Sequence, residues 1–195
     1  EEESHYESMD PISIFARCDS IVELNLPERT TSIGNAAFGA MNGLKRVTLP
    51  STLKTIGNYA FVICPNLESV TFAEGTQLEN IGKGAFRGRY SYLPTKLSSI
   101  NLPGGNYNIG DGAFKYTSLA SITIPEGVKY IYGLSLSENK ELTTINLPST
   151  IQSIDNTYSI TSNPKLTTIN FAGTVAQWTA LGKTNFTYSY GSGCP

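Results

Sequence analysis

Histidine is nearly missing from this chain, and that narrows the possible chemistry first. His5 is the one imidazole in 195 residues. A zinc site built on histidines needs several held in fixed geometry, and a Ser-His-Asp triad needs one oriented by a carboxylate. A single histidine excludes the first and argues strongly against the second. Cysteine is scarce as well: Cys18, Cys64 and Cys194. An odd count at wide spacing does not make a disulfide framework. Charged residues make up only 15 % and the formal net charge is −2. The chain therefore has no basic field for nucleic acid, and Ser, Thr and Asn must wet much of its surface. No run approaches the ~18 consecutive apolar residues of a membrane helix. Gly182-Lys183-Thr184 resembles the end of a phosphate-binding loop, but Gln177 stands where that motif needs its first glycine. No acidic pair has apolar neighbours at a spacing that would raise a carboxyl pKa. These absences leave no cofactor, no metal and no catalytic residue to assign, and an enzyme is not expected.

What fills the chain instead is a repeat. The segment Leu44–Cys64 reads LKRVTLPSTLKTIGNYAFVIC. Val47 and Leu49 alternate with Arg46 and Thr48, the period-two pattern of a half-buried strand. Pro50 has no N–H for a ladder and ends it. Gly57 permits a tight or left-handed bend after Ile56. Ala60 and Phe61 read as one helical or 3-10 turn that pushes an aromatic ring inward.

Copies of this unit start at Ile21, Leu44, Leu67, Leu97, Leu119, Leu142 and Leu166, at intervals of 23, 23, 30, 22, 23 and 24. The second half-motif recurs as IGNAAF from Ile33, IGNYAF from Ile56, IGKGAF from Ile81 and IGDGAF from Ile109. It decays to IYGLSL from Ile131 and IDNTYSI from Ile154. The Gly82-Lys83-Gly84 run is part of this motif and not a phosphate loop. Ile12–Cys18 matches the tail of an earlier unit. One unit alone cannot bury its apolar side, whereas stacked units bury one another, so the pattern predicts a solenoid. Phe38, Phe61, Phe86 and Phe114 share one repeat position and are expected to stack in a single column. Cys18 and Cys64 fill another position, with Met41 between them. They lie two units apart, beyond the reach of a disulfide.

These units, L-x-x-I-x-L-P and I-G-x-x-A-F-x-x-C, resemble the BspA-type leucine-rich repeats of bacterial surface proteins, which are related to treponemal 23-residue repeats. The resemblance spans about Ile12 to Leu181. Gly173–Leu181 is similar to the closing segment common in that family. The departures are the decayed units at Ile131 and Ile154 and one insertion. The resemblance implies an α/β solenoid: a right-handed leucine-rich-repeat stack with a parallel β-sheet face and short helical or 3-10 turns opposite. It further implies an extracellular or cell-surface, non-enzymatic adhesion module whose partner is a host extracellular protein or carbohydrate. A spacer or stalk presenting another domain is the alternative, and a monomer is expected.

Residues 1–11 read as an acidic, disordered leader; its five acids account for the negative charge, since without them the formal charge becomes +3. Residues 12–183 read as the solenoid with its C-terminal cap, and 184–195 as a polar tail. The chain has neither an initiator Met nor a signal peptide, so a processed or trimmed product is expected. The sequon Asn185-Phe186-Thr187 fits glycosylation only in a eukaryotic secretory host. Val175, Trp178 and Leu181 share a helical face and are expected to close the open end of the stack.

The 30-residue interval adds much of Arg87–Lys96, and insertions in a solenoid map to loops that often bind. It carries Arg87, Arg89, Tyr90 and Tyr92, residue types enriched at binding hot spots, and these four are the candidate ligand-binding residues. The strands offer a second surface. Asn25, Thr48, Thr71, Asn101, Thr123, Asn146 and Asn170 form one outward row, and Glu23, Arg46, Ser69, Ser99, Ser121, Thr144 and Thr168 form another. These rows lack aromatic anchors and rank below the insertion, except for a carbohydrate ligand.

Overall fold

A computed structural model describes residues 13–155 and 158–181. The expected leader and tail, His5, Cys194, the sequon and Gly182-Lys183-Thr184 lie outside the described residues. Twelve strands follow one another: β1 (Glu23–Asn25), β2 (Ser32–Ile33), β3 (Arg46–Leu49), β4 (Thr55–Ile56), β5 (Ser69–Phe72), β6 (Asn80–Ile81), β7 (Asn108–Ile109), β8 (Ser121–Thr123), β9 (Tyr130–Ile131), β10 (Thr144–Leu147), β11 (Ser153–Ile154) and β12 (Thr168–Phe171). One helix, α1 (Val175–Ala180), closes the series. All named strand pairs are parallel, in the register of the repeat: Leu24 beside Val47 beside Val70, and Ile33 beside Ile56 beside Ile81. The molecule is a parallel solenoid in which each turn of chain, or coil, hydrogen-bonds to the next.

The Ile-Gly half-motif makes a second sheet, which the expectation of a simple bend did not include. Six strands run unbroken in the order β11-β9-β7-β6-β4-β2. The glycines that follow the isoleucines are there for proximity. A Cβ on Gly57 would come within 2.7 Å of the Gly34 carbonyl carbon, and on Gly82 or Gly110 within 2.6 Å of backbone in the coil before. None of the three is held in the left-handed region, so close approach of adjacent coils, and not a left-handed bend, selects glycine at these positions.

The Ala-Phe segment is a corner of hydrogen-bonded turns, not a helix. In the third described copy of the corner, Ala60 and Val62 donate back to Gly57 and Tyr59 three residues earlier, while Tyr59, Phe61 and Ile63 donate across to Lys83, Ala85 and Arg87 at 2.7–2.8 Å. Alternate residues thus serve the coil and its neighbour. Left-handed backbone at Tyr59 (φ 58) and Ile63 (φ 55) breaks any helical run. That conformation is costly for a β-branched residue, and the cross-coil ladder holds it in place. The corner turns its phenylalanines inward as expected. Phe15, Phe38, Phe61, Phe86 and Phe114 form one column with successive ring centroids 5.7, 5.5, 5.4 and 5.5 Å apart. Phe61, Phe86 and Phe114 are fully buried. Leu136 continues the column in the first decayed unit and is also fully buried.

The cysteine position changes chemistry along the stack. Cys18 and Cys64 are free thiols, and the buried Cys64 Sγ donates to the Phe38 carbonyl at 3.2 Å. Farther on, Asn139 and Asn163 occupy the position, both buried. Asn139 Oδ1 accepts from Thr117 N and Oγ1, and Asn163 Oδ1 accepts from Asn139 N at 2.8 Å. Asn139 Nδ2 is the one buried side-chain nitrogen or oxygen among the described residues without a hydrogen-bond partner. Tyr107 is buried two residues before Ile109, one position later than Leu53 and Leu78 stand before Ile56 and Ile81. Its hydroxyl donates to the Pro103 carbonyl at 2.8 Å, and burial pushes its pKa up.

At the C-terminal end, Thr174 and Gln177 form a capping box that starts α1. Trp178 packs on Phe171 with centroids 5.4 Å apart, and Leu181 packs against the core. Val175 does not join them and is 84 % exposed. Six residues rotate a helical face by ~120°, so Val175 and Leu181 cannot both face the last coil.

Two expected outcomes test this packing. Gly82→Ala should destabilise the domain by roughly 1–3 kcal/mol or more, because backbone must move to admit the methyl. Gly104→Ala, where the added Cβ meets nothing within 4 Å, should be near neutral; equal midpoints in urea for the two variants would contradict the close-approach account. Burial pushes the Cys64 thiol up to about 12. Alkylation at pH about 8.5, the ordinary thiol value, should leave Cys64 unmodified in the native protein and label it once unfolded, as read by mass spectrometry.

Candidate functional site

The strand pairing divides the seven-residue excess of the long interval. Pairing of Ile56 with Ile81 places two extra residues in the turn between Ala73 and Leu78, and the other five fall between Phe86 and Leu97. The larger share is the Arg87–Lys96 loop. It leaves the corner after Phe86, turns back on itself through a Tyr90–Leu93 bridge, and rejoins the stack where Thr95 N donates to Tyr116 O at 3.0 Å and Lys96 N donates to Pro65 O at 3.2 Å. Thr95 is fully buried and Ser118 Oγ donates to its carbonyl at 2.7 Å. Both ends of the loop are therefore fixed, and its tip projects.

The four candidate residues divide into two groups. Tyr90 and Tyr92 stack with centroids 5.1 Å apart and an interplanar angle of 12°. The Arg89 guanidinium sits over the Tyr90 ring at 5.4 Å. Tyr92 is 76 % exposed and Leu93, beside it, is also exposed. Arg87 is elsewhere: its guanidinium lies 5.4 Å from the Tyr116 ring centroid, and Lys115 Nζ lies 4.7 Å from the same centroid. Tyr116 is buried, so Arg87 packs its charge onto the body of the stack. A small cleft of about 70 Å³ runs beneath the loop between Asn42, Ile63, Pro65, Arg89, Leu93 and Thr95.

The insertion also alters the sheet behind it. Strands of the first half-motif form two separate sheets, β1-β3-β5 and β8-β10-β12, and the coil that follows the loop has no strand there. Ile100 in that coil is still buried, so the core is kept while the strand pairing is reduced to single bonds such as Ala120 N to Ser98 O. The outward rows lie where the alternation places them. In the second of the two sheets the amides interlock: Asn146 Nδ2 donates to Thr123 Oγ1 at 3.0 Å and Asn170 Nδ2 to Asn146 Oδ1 at 2.8 Å. Among the described residues no cluster of His, Cys, Asp and Glu could hold a metal ion, and no helix is long and apolar enough to cross a membrane.

Parallel coils of about 23 residues, an inward Leu/Ile/Phe lining and a tight parallel ladder define a solenoid of the leucine-rich-repeat class. The family model for the BspA type leucine rich repeat region matches residues 11–93 and 88–190, with six copies, and the chain belongs to that family. Among solved structures it is similar to a leucine rich cell surface protein from Faecalibacterium prausnitzii A2-165, at 22% identity and a TM-score of 0.50, over 82% of this chain and 34% of that one. It is also similar to a leucine-rich repeat protein from Bacteroides ovatus ATCC 8483 (19% identity, TM-score 0.41, 81% of this chain and 56% of that chain) and to the pneumococcal vaccine antigen PcpA (17% identity, TM-score 0.38, 81% and 54%). The chain thus spans between about a third and just over half the length of these relatives. No curated protein sequence matches it.

The split between Arg87 and Arg89 has a measurable consequence. Arg87→Ala removes a cation from a buried ring and should lower stability by about 1 kcal/mol, whereas Arg89→Ala, an exposed cation over a half-buried ring, should change it by less than about 0.5 kcal/mol. Thermal melts of the two single variants compare them directly.

Proposed function

We propose that this domain is an extracellular binding module of a bacterial surface protein, without catalytic activity, and that the tip of the Arg87–Lys96 loop forms part of its contact surface. Leucine-rich repeat domains are generally non-enzymatic interaction modules, and the cell-surface description of the Faecalibacterium relative supports the location. One observation carries the assignment to the loop. Where the repeat is interrupted, an exposed Tyr92 stacks on Tyr90 with Arg89 over the Tyr90 ring. Stacked tyrosines cover ligand area with little side-chain entropy left to lose, and a guanidinium pairs with carboxylate or sulfate. The partner is a host protein or glycan that presents such anions, and Arg87 contributes by holding the loop base.

Deletion of Arg89–Leu93 tests this. It joins Gly88 to Pro94 and gives Phe86 and Leu97 the separation that Phe61 and Leu67 have. The melting temperature should stay near that of the parent, because loops of this size are tolerated or removed at small entropic cost. Binding to the ligand found by screening matrix proteins and glycans should disappear. Equal binding by the deleted protein would move the site to the Ser/Thr/Asn rows. A parent domain that binds nothing on such arrays would favour a spacer.

A further inference from the structure

The second sheet presents small outward side chains in every coil but one. Before the inward isoleucine stand Ser32, Thr55, Asn80, Asn108, Tyr130 and Ser153; after it stand Gly34, Gly57, Gly82, Gly110, Tyr132 and Asp155. Residues two apart on a strand share a face, so the β9 coil sets two rings side by side on an otherwise low surface. The Tyr130 and Tyr132 rings have centroids 6.0 Å apart and are within 11° of parallel. Tyr132 is 44 % exposed. The Tyr130 hydroxyl donates to Gln152 Oε1 at 2.9 Å, which fixes that ring. Asp155 Oδ2 accepts from Gly133 N at 3.2 Å, which places a carboxylate at the edge of the rings. An open hollow of about 270 Å³ is bounded by the two tyrosines, Ser153, Ile154 and Asp155.

Packing does not ask for these tyrosines. Four other coils satisfy the same position with glycine, and the fifth alternative, Asp155, is polar. A pair of nearly parallel, stacked rings, one exposed and one half-buried, bordered by a carboxylate, an amide and a hydroxyl matches one ligand chemistry well. The C–H face of a pyranose carries partial positive charge and lies on the negative face of an aromatic ring. Its hydroxyls both donate and accept, and the amide and carboxylate oxygens at the rim supply acceptors. The hollow is open to solvent and does not enclose the buried anchor of a protein partner. The carboxylate at its edge disfavours an anionic sugar.

We propose that Tyr130, Tyr132, Gln152 and Asp155 form a subsite for a neutral carbohydrate, separate from the loop and independent of its role. The test is a titration of the whole domain with neutral gluco-, galacto-, manno- and xylo-oligosaccharides, following the tyrosine ring resonances by NMR. One series should shift the Tyr130 and Tyr132 signals. Tyr132→Gly, which installs the residue of the neighbouring coils, should weaken that binding by about tenfold or more. Tyr130→Thr, the residue present at Thr55, should do the same and guards against a folding defect in the first variant. The Arg89–Leu93 deletion should bind as the parent does, which separates this subsite from the loop. The proposal is overturned if no neutral series moves those ring signals up to the millimolar range, or if both tyrosine variants bind undiminished.

Discussion

The distance between neighbouring coils governs this molecule. Parallel backbone ladders fix it at about 4.8 Å, and every other feature must fit that interval. Glycine after the isoleucine is the clearest case, since at Gly57, Gly82 and Gly110 there is no room for one more carbon between adjacent coils. The phenylalanine column obeys the same rule from the inside. Its rings repeat at 5.4–5.7 Å, a separation reached by offset stacking and not by face-to-face contact. Cross-coil polar contacts repeat as well: Glu28 Oε2 accepts from Ser51 Oγ at 2.7 Å, and Glu126 meets Ser149 in the same way. The Ser149 backbone N–H is the main reason the Glu126 carboxyl is held below its ordinary pKa.

Much of the fold was legible because a repeat states each structural demand several times. Val47 and Leu49 announce a strand once, but the same alternation six times more fixes register and sheet direction too. The inward Phe column and the shared cysteine position followed from alignment alone. What escaped was conformation at single residues. Nothing in Tyr59 or Ile63 signals left-handed backbone, because neither residue favours it; the cross-coil hydrogen bonds impose it. The second sheet escaped for a related reason: two residues of Thr55–Ile56 carry no visible period. The role of Gly57 was misread because a glycine needed for space and one needed for a bend look the same in sequence.

The candidate sites were unevenly legible. The insertion announced itself as a broken interval, but its split into two residues before β6 and five after it needed the strand pairing. Composition grouped Arg87 with Arg89, while geometry sends one to a buried ring of the stack and the other to a half-buried ring of the loop. The Tyr130–Tyr132 pair was missed because it sits in a unit classed as decayed. Its signal was present all the same, as an aromatic residue where four sister units have glycine. In a repeat protein a lapse in the pattern is information of the same kind as the pattern.

The coil behind the loop has a mechanical meaning. Each coil of a solenoid touches only its neighbours, so any pull along the stack passes through every junction in turn. At the internal junctions from β1 to β5 and from β8 to β10 that pull is shared by the first-motif ladder, the second sheet and the corner. At the coil of Ile100 the first of these is interrupted, and the second sheet and the corner bear the tension there. That junction keeps less of the ladder than its internal neighbours, so a pull along the stack strains it more, and the loop stands next to it.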